Sequence, residues 1–418
     1  MRILDVSPRA GLPADTGGAV RAYNLLLHLS RRHEIRQFCL GELPLRPWTL
    51  RRVVRETPVT PTFRVVTYAS PLTELVVRSS ERLWDSRSAF SGKALRAARP
   101  TRLRELLGWA DLVLVEAPWQ FAYVRSERPD ARLVLASHNV ERERFVSYAA
   151  LRGNPPDRDR RVRGAERLEA EAIAGSSLTV AVSPEDRLEF IERYGADPER
   201  VIVVRSGADT EKYHPVDAEV KAARKRELGL PTGPTVVFVG SRFVGNRMGL
   251  DWIHRLGRAT DRFTYLVVGS IARPGRRGSV HATGHVDDVA PYLEAADVAV
   301  CPIQYGAGVK TKLLEALAAG LPTVAFAESL NGTELRDGEH LLVAEKSERE
   351  LLAALERLAD DSELAGRLGA AGRAFIAERH DWGKAAATLE AALLELVGFR
   401  ELRLTYRSPT APGDRATI

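Results

Sequence analysis

The alternation of short apolar runs with amphipathic stretches constrains this chain most strongly. The apolar runs are short and continuous, which is typical of parallel strands covered on both faces. The stretches between them, such as GGAVRAYNLLLHLSRR and PEDRLEFIERYG, have helical spacing. Repeated strand–helix alternation predicts an α/β protein with doubly wound sheets. The predicted strands are RILDVS, EIRQFCL, FRVVTY, DLVLVEA, RLVLAS, LTVAVS, VIVVRS, TVVFVG, FTYLVVGS, VHATG, DVAVCPI, PTVAF and HLLVA.

Length and a break in the pattern predict two domains. The 418 residues exceed what one hydrophobic core usually holds. After VVRSGADTEKYHP the chain is charged and then rich in Pro and Gly before a new strand begins. We expect an N-terminal Rossmann-like domain at 1–205, a linker at 206–232 and a C-terminal Rossmann-like domain at 233–384. A helix at about 385–400 should cross back onto the first domain, and the tail at 401–418 is predicted to be disordered.

Composition and cysteine usage indicate a cytoplasmic protein. No apolar run approaches the roughly 20 residues needed to span a bilayer, and no signal-peptide pattern follows the N-terminal Arg. Cys39 and Cys301 lie in apolar strand-like runs, so we expect them to be reduced and buried. No Walker A, H-E-x-x-H or zinc-type Cys spacing occurs. The sequence therefore predicts neither a metal site nor a cofactor.

A basic segment, residues 41–110, holds 13 Lys and Arg against 6 Asp and Glu. Such an excess can meet nucleic acid, an anionic membrane or an acidic substrate, and a solvated Arg-rich surface is an equal interpretation. The segment lacks interleaved aromatic residues and any recognisable module, so we expect no nucleic-acid partner. The hypothesis we keep is peripheral contact with the inner face of a membrane that carries a lipid-linked acceptor.

Candidate site residues follow the predicted strands, because ligands of open α/β sheets bind beyond the carboxyl ends of the strands. Gly17 and Gly18 follow the first strand and precede a helix, so they allow the backbone to approach a ligand or form a plain turn. No G-x-G-x-x-G motif is present there, which argues against a binding site for NAD or FAD. His138 ends another strand and can orient a sugar hydroxyl or a transferring group, unless local backbone groups satisfy it.

The second half carries a group of hydrogen-bond donors after its first strand. Arg242, Asn246 and Arg247 follow TVVFVG and suit phosphate recognition. One of the two arginines is expected to be merely exposed to solvent.

The stretch CPIQYGAGVKTKLLEALAAGLPTVAF combines a strand, a glycine turn and a helix. Free backbone N–H groups and the helix dipole at such a helix N-terminus form a cradle for anions. Lys310 and Lys312 add positive charge there. Glu315, further along the same helix, can accept hydrogen bonds from hydroxyls such as those of a ribose, or can lie on the helix surface. A phosphate-bearing ligand is therefore predicted.

Four features in chain order resemble family 4 of the glycosyltransferases, whose members have the GT-B fold of two facing Rossmann-like domains. They are the glycines at Gly17 and Gly18, HNVE at His138, SGADTEKYHP at 206–215, and GAGVKTKLLEALAAGLPTV. The last is the most specific, because a basic residue, one further residue and a Lys precede Leu-Glu-Ala in a subgroup of that family. The resemblance covers nearly the whole chain except the basic segment and the tail. It implies metal-independent transfer of a sugar from a nucleotide-diphosphate sugar with retention of configuration.

The resemblance also implies a role for each matched residue. Glu315 would hold the ribose hydroxyls, and Lys312 would stabilise the leaving group. His138 would touch the donor sugar or act at the reacting centre. Gly17 and Gly18 would let the first-domain loop approach the diphosphate and the acceptor. The remaining residues would hold or surround the diphosphate: Gly308, Val309, Lys310, Asn246, and either Arg242 or Arg247.

One departure from the family leaves other functions open. The family often has a Glu eight residues before the second one, and Ala307 stands there in this chain. The donor sugar is therefore not implied by the resemblance. A nucleotide-sugar epimerase of the same fold and a non-catalytic nucleotide-binding relative are the alternatives. The presence of His138, Lys310, Lys312 and Glu315 favours the transferase.

Overall fold

The computed structural model of the chain contains two sheets, each covered by helices. Residues 1–9, 12, 16–43, 51–84, 86–151, 153–305 and 308–405 are described, the last seven through their backbone only. The first sheet comprises β1 (Arg2–Ser7), β2 (Glu34–Leu40), β3 (Val53–Pro58), β4 (Phe63–Ala69), β5 (Leu112–Val115), β6 (Leu133–Ala136), β7 (Leu178–Ala181) and β8 (Val201–Val203). The second comprises β9 (Thr235–Val239), β10 (Thr264–Val268), β11 (Gly275–Arg277), β12 (Val280–Ala282), β13 (Val298–Cys301), β14 (Thr323–Ala325) and β15 (Leu342–Val343).

Helices occupy most connections between the strands. In the first half they are α1 (Gly17–Leu29), α2 (Pro71–Trp84), α3 (Ser91–Ala98), α4 (Thr101–Trp109), α5 (Pro118–Glu127), α6 (Glu141–Leu151), α7 (Arg158–Gly175) and α8 (Pro184–Tyr194). In the second half they are α9 (Ala218–Glu227), α10 (Val244–Ala259), α11 (Ala290–Glu294), α12 (Thr311–Ala318), α13 (Glu348–Asp360), α14 (Ser362–Arg379) and α15 (Trp382–Thr405). Short 3₁₀ turns add Pro198–Arg200 and Ala327–Leu330.

Both sheets are doubly wound, as the alternation predicted. The first has the order β3-β4-β2-β1-β5-β6-β7-β8 and the second β11-β12-β10-β9-β13-β14-β15. Every strand pair is parallel except β3 with β4 and β11 with β12. All the predicted strands are present. The two additional strands, β3 and β11, lie at sheet edges and are largely exposed, so they lack the apolar run that marks a buried strand.

Burial on both sheet faces explains the continuous apolar runs. In β1, Leu4 and Val6 belong to one core cluster, whereas Ile3 belongs to another on the opposite face. In the second sheet, Val236 and Val237 of β9 divide between two clusters in the same way. A strand that is buried on both faces has no polar side, which is why these runs show no period of two.

Two helices connect the halves. The predicted linker contains α9, where Lys225 donates to Asp297 Oδ2 at 2.5 Å and so fixes this helix to the second domain. Helix α15 instead packs on the first sheet, with Trp382 and Leu393 in the same core cluster as Ile3. It extends to Thr405, through the first five residues of the tail predicted to be disordered, and no proline occurs within the helix before that point. Residues 406–418 lie outside the described part of the chain.

Candidate active site

The loops beyond the strand ends of the two halves approach each other closely. Gly308, in the turn before α12, has a φ of +76°, and a Cβ there would lie 3.1 Å from Asn139 Oδ1 of the first half. A Cβ at Gly332 would lie 3.5 Å from Ser183 Cβ. The rings of Tyr148 and Phe243 face each other with their centroids 6.4 Å apart. The candidate site therefore lies where the two halves meet, and glycine permits the close approach of the turn at Gly308.

Two lysines lie at the N-terminus of α12. Lys310 is the N-cap residue, and its Nζ donates to Gly308 O at 2.6 Å. Lys312 Nζ donates to Asn246 Oδ1 and lies 5.6 Å from the centroid of the Phe238 ring. Burial lowers the pKa of Lys310 to about 8 and also lowers the pKa of Lys312. Two cations held together in a poorly solvated place favour the binding of an anion, which would restore their charged forms.

Glu315 lies one turn after Lys312 on α12. Burial raises the pKa of its carboxyl to about 7, while the charges of Lys212 and Lys312 act to lower it. Its side chain is half-buried and has no hydrogen-bond partner among the described residues. The carboxylate is thus placed to accept hydrogen bonds from a ligand next to the lysines.

The donors that follow β9 divide into one buried amide and two exposed guanidinium groups. Asn246 is buried in α10, where its Nδ2 donates to Ser241 O at 2.9 Å and its Oδ1 accepts from Lys312. Arg242 is exposed and its Nε donates to Ser270 O at 3.2 Å. Arg247 is exposed on α10. The structure brings Asn246 to the lysines and leaves both arginines accessible to solvent. Val309 packs against the core of the second half.

His138 lies on the first-half side of the cleft, just beyond β6. A Cβ at Gly18 would lie 3.1 Å from its ring, whereas a Cβ at Gly17 would contact nothing within 4 Å. His138 Nε2 lies 2.9 Å from Glu116 Oε2. Burial, aided by the charge of Arg21, lowers the pKa of His138 to about 4, so the ring is neutral at physiological pH. Both glycines belong to the first turn of α1 rather than to the preceding loop.

Sequence reasoning missed the charged groups behind His138, which are Asp5, Glu116 and Arg21. All three are buried. Glu116 follows the apolar run of β5 directly, so the rule that selected His138 also selects Glu116. Asp5 is the one acid inside the apolar run of β1. A carboxylate in such a run was the available indication of a polar cluster.

The described residues show neither a metal-binding cluster nor a membrane-spanning helix. That part of the chain has no cluster of three or more His, Cys, Asp or Glu arranged to hold a metal ion. None of its helices is long and apolar enough to span a membrane. Cys39 and Cys301 are both buried.

Family models match most of the chain. Residues 16–212 match the model described as Glycosyltransferase Family 4, and residues 233–361 match the model described as Glycosyl transferases group 1. The D-inositol 3-phosphate glycosyltransferase of Streptomyces bingchenggensis is 30% identical over 68% of this chain and 66% of its own length. The enzyme of the same name from Xylanimonas cellulosilytica is 30% identical over 72% of this chain and 75% of its own length. The chain therefore belongs to the family 4 glycosyltransferases.

Solved structures share the two-domain architecture. Sucrose-phosphate synthase from Thermosynechococcus elongatus superposes with a TM-score of 0.71 at 18% identity, covering 96% of this chain and 100% of that chain. Anabaena HepE in complex with UDP and glucose gives 0.67 at 16% identity, covering 94% and 99%. WaaG, a glycosyltransferase involved in lipopolysaccharide biosynthesis, gives 0.65 at 17% identity, covering 93% and 98%. The predicted GT-B fold is confirmed.

Proposed function

We propose that this protein is a retaining, metal-independent glycosyltransferase that uses a nucleotide-diphosphate sugar. The observation that carries the proposal is the group formed by Lys310, Lys312 and Glu315 on one short helix. Departure of a nucleoside diphosphate develops negative charge, and preorganised cations and N–H groups stabilise that charge most effectively where water is scarce. The partly desolvated lysines meet this need, and Glu315 lies close enough to accept from the ribose hydroxyls of the same ligand.

The remaining residues complete the donor site. Backbone N–H groups at the N-terminus of α12, after Gly308 and Val309, would donate to the diphosphate. Asn246 fixes Lys312 through its side-chain oxygen. Arg242 or Arg247, both of which are exposed, would add charge to the leaving group.

The first domain would hold the transferred sugar and the acceptor. His138, neutral and at the cleft, would contact the donor sugar near the reacting carbon. Gly18 allows α1 to approach this ring, and Gly17 beside it leaves room for diphosphate and acceptor. Transfer would break the bond between the anomeric carbon and the diphosphate oxygen and form the bond to the acceptor oxygen on the same face. The proton of the acceptor hydroxyl would pass to the departing phosphate oxygen.

The structure offers a carboxyl pair near the cleft, which bears on the epimerase alternative. An epimerase of this fold needs carboxylates that reach the sugar. Asp5 and Glu116 are 0% and 4% exposed and lie behind His138, which favours transfer over proton chemistry at the sugar. The replaced family Glu, at Ala307, lies outside the described residues.

Relatives suggest which substrates to test first. HepE was solved with UDP and glucose, and the trehalose-6-phosphate protein of E. coli with UDP-2-fluoro glucose, so uridine nucleotides come first. The curated relatives are named for D-inositol 3-phosphate, which places phosphorylated sugars or cyclitols beside lipid-linked molecules as acceptors to be tested.

Peripheral membrane contact forms part of the proposal and rests on the basic segment. Helix α2 exposes Leu72, Leu75 and Leu83 at 45, 64 and 55%. Strand β3 exposes Val53 and Val54, and Val53 pairs with the last residue of β4, two positions before α2 begins. Exposed apolar side chains among arginines suit an anionic bilayer surface. Residues 44–50 and 85 of the segment lie outside the described residues.

Vesicle co-sedimentation tests this contact. We expect binding to anionic but not zwitterionic vesicles, weakened by salt and by the double change Leu72→Asp and Leu75→Asp. The matched control is Leu188→Asp, at an exposed leucine of α8. Equal sedimentation of the control and the double variant would show that α2 is not the contact.

Calorimetric titration with UDP, GDP, ADP and dTDP tests the donor site. We expect saturable binding of one nucleotide and at least tenfold weaker binding by Glu315→Ala. Glu363→Ala, at an exposed acid of α14, is the control and should bind as the wild type does. Absence of binding for all four nucleotides would contradict the proposed donor site.

A further inference from the structure

A chain of three polar side chains runs from the first sheet to the cleft. Asp5 lies in β1, and Glu116 lies one residue beyond β5, which pairs in parallel with β1. Glu116 N donates to Val6 O at 3.1 Å. The register pairs Asp5 with Leu114, so Asp5 and Glu116 lie on the same face of the sheet, two positions apart. Their carboxyl groups are within hydrogen-bonding reach of each other. Glu116 in turn contacts His138, whose side chain is 19% exposed at the cleft.

If both carboxyl groups were ionised, one of their buried oxygens would lack a hydrogen-bond donor. Asp5 Oδ2 accepts from Gln37 Nε2 at 2.9 Å. Asp5 Oδ1 is buried and has no donor within the described part of the chain. A proton on Asp5 removes this deficit, because the acid then donates to the Glu116 carboxylate beside it. Burial raises the pKa of both groups, most strongly that of Asp5, where the charge of Glu116 adds to the effect.

The negative charge that remains on the pair of Asp5 and Glu116 lies near the buried positive charge of Arg21. The Arg21 guanidinium is 3% exposed, and its Nη1 and Nη2 have no acceptor among the residues described. Its charge acts on both Glu116 and His138. Two further acids influence this cluster, Glu141 acting on His138 and Asp186 acting on Arg21.

The contact between Glu116 and the imidazole selects one tautomer. A neutral ring has one N–H, and an ionised carboxylate can only accept. The ring nitrogen 2.9 Å from Glu116 Oε2 is Nε2, so the proton belongs there. Nδ1 is then the acceptor of the ring, and it has no partner among the described residues.

We propose that Asp5 and Glu116 share one proton and that Glu116 is thereby a positioning residue, holding His138 with its proton on Nε2 and Nδ1 as an acceptor. Asp5 acts as a neutral donor that keeps the Glu116 carboxylate ionised. The inference rests on the proposed function in one respect: the part of the His138 ring that is exposed at the cleft contacts the transferred sugar, and the fixed tautomer and orientation hold it there. The contact with Gly18 restricts the orientation of the same ring.

Nitrogen NMR of the full chain labelled with ¹⁵N-histidine tests the tautomer without reference to activity. The signals of His138 are assigned by their loss in His138→Gln. At pH 7 we expect a neutral ring protonated at Nε2 in the wild type. Asp5→Asn should keep this pattern, because an amide N–H replaces the acid O–H as donor to Glu116. Glu116→Gln removes the carboxylate, so the form protonated at Nδ1 should appear.

Two outcomes would overturn the inference. One is a wild-type His138 that is cationic or protonated at Nδ1 at pH 7. The other is an Asp5→Asn spectrum displaced as far as that of Glu116→Gln, which would mean that Asp5 is ionised. Thermal unfolding shows whether Glu116→Gln folds. If it does not, the spectra of the wild type and of Asp5→Asn are sufficient to test the inference.

Steady-state kinetics separates a positioning role from a purely structural one, because a structural role alone would leave kcat unchanged in a folded variant. Glu116→Gln should lower kcat by up to roughly 10²-fold, because a misplacement of about 1 Å in a group that positions the substrate can cost that much, while nucleotide affinity stays within twofold. Glu171→Gln, at an exposed acid of α7, is the control. A Glu116→Gln variant with unchanged kcat would refute the positioning role. Absent nucleotide binding with the expected His138 spectrum would refute the proposed function alone.

Discussion

The two sides of the cleft carry opposite chemistry. On the second domain, Lys310 and Lys312 bring two cations to one helix N-terminus, and burial depresses the pKa of both. On the first domain, Asp5 and Glu116 bring two acids together behind a neutral imidazole, and burial raises the pKa of both. This difference in charge fits different roles for the two domains in transfer. The second domain would stabilise charge that develops on a leaving diphosphate, and the first would orient a sugar without adding charge near it.

The largest effect should come from Lys312. We expect Lys312→Ala to lower kcat/KM by about 10²–10³-fold, the typical loss when one preorganised charge-stabilising group is removed. The fold should persist, because a buried cation is replaced by a small apolar group. Steady-state kinetics with the donor found by titration measures the loss. Lys346→Ala, at an exposed lysine of the same domain, is the control, and equal activity of both variants would refute the role.

Gly308 tests whether the close approach of the domains matters. Gly308→Ala places a Cβ at positive φ and 3.1 Å from Asn139 Oδ1. We expect the free energy of unfolding to fall by about 1–3 kcal/mol, measured by denaturant titration. Gly366→Ala, in α14 with open space around it, should instead stabilise by up to about 1 kcal/mol. Similar stability of the two variants would mean that the domains do not adopt this arrangement in solution.

Nucleotide affinity should depend on pH with a maximum between about 7 and about 8. Below that range Glu315, with a pKa of about 7, gains a proton and becomes a poorer acceptor for hydroxyls. Above it Lys310, with a pKa of about 8, loses its positive charge. Calorimetry across pH should show that Glu315→Gln removes the acid limb and Lys310→Met the alkaline limb. Retention of both limbs in both variants would contradict these assignments.

The same shifts fix the sign of the stability change in the free protein. Because the pKa of Lys310 falls from 10.5 to about 8 on folding, the unfolded chain binds more protons between those values. Stability should therefore rise with pH from about 8 to 10.5, and less so in Lys310→Met. Affinity for the diphosphate falls over the same range, so stability and binding should move in opposite directions.

The smallest effect distinguishes the two neighbouring glycines. Gly18→Ala forces a Cβ to 3.1 Å from the His138 ring and should lower the free energy of unfolding by about 1–2 kcal/mol. Gly17→Ala contacts nothing within 4 Å and should raise it by a few tenths to about 1 kcal/mol through helix propensity. Thermal unfolding compares the two. Equal effects would mean that α1 does not pack against His138.

Local sequence predicted the strands because burial on two faces leaves an unmistakable apolar run. It missed β3 and β11 because VVRETP and GRR are exposed edge strands with no such run. The candidate site residues at strand ends were selected by the same local reasoning. The pairing of Asp5 with Glu116 was not, because it depends on the register of β1 with β5, across more than a hundred residues of chain. The contact of Gly308 with Asn139 depends on how two domains meet, which no local pattern encodes.

The most direct test of the account is the stereochemistry of transfer in the presence of excess EDTA, followed by proton NMR of the anomeric position. An α-configured donor should give an α-linked product at a rate that EDTA does not change. That result would fit a second domain that stabilises the leaving group with its own cations and a first domain that supplies no nucleophile. A β-linked product, or loss of transfer on chelation, would contradict the account.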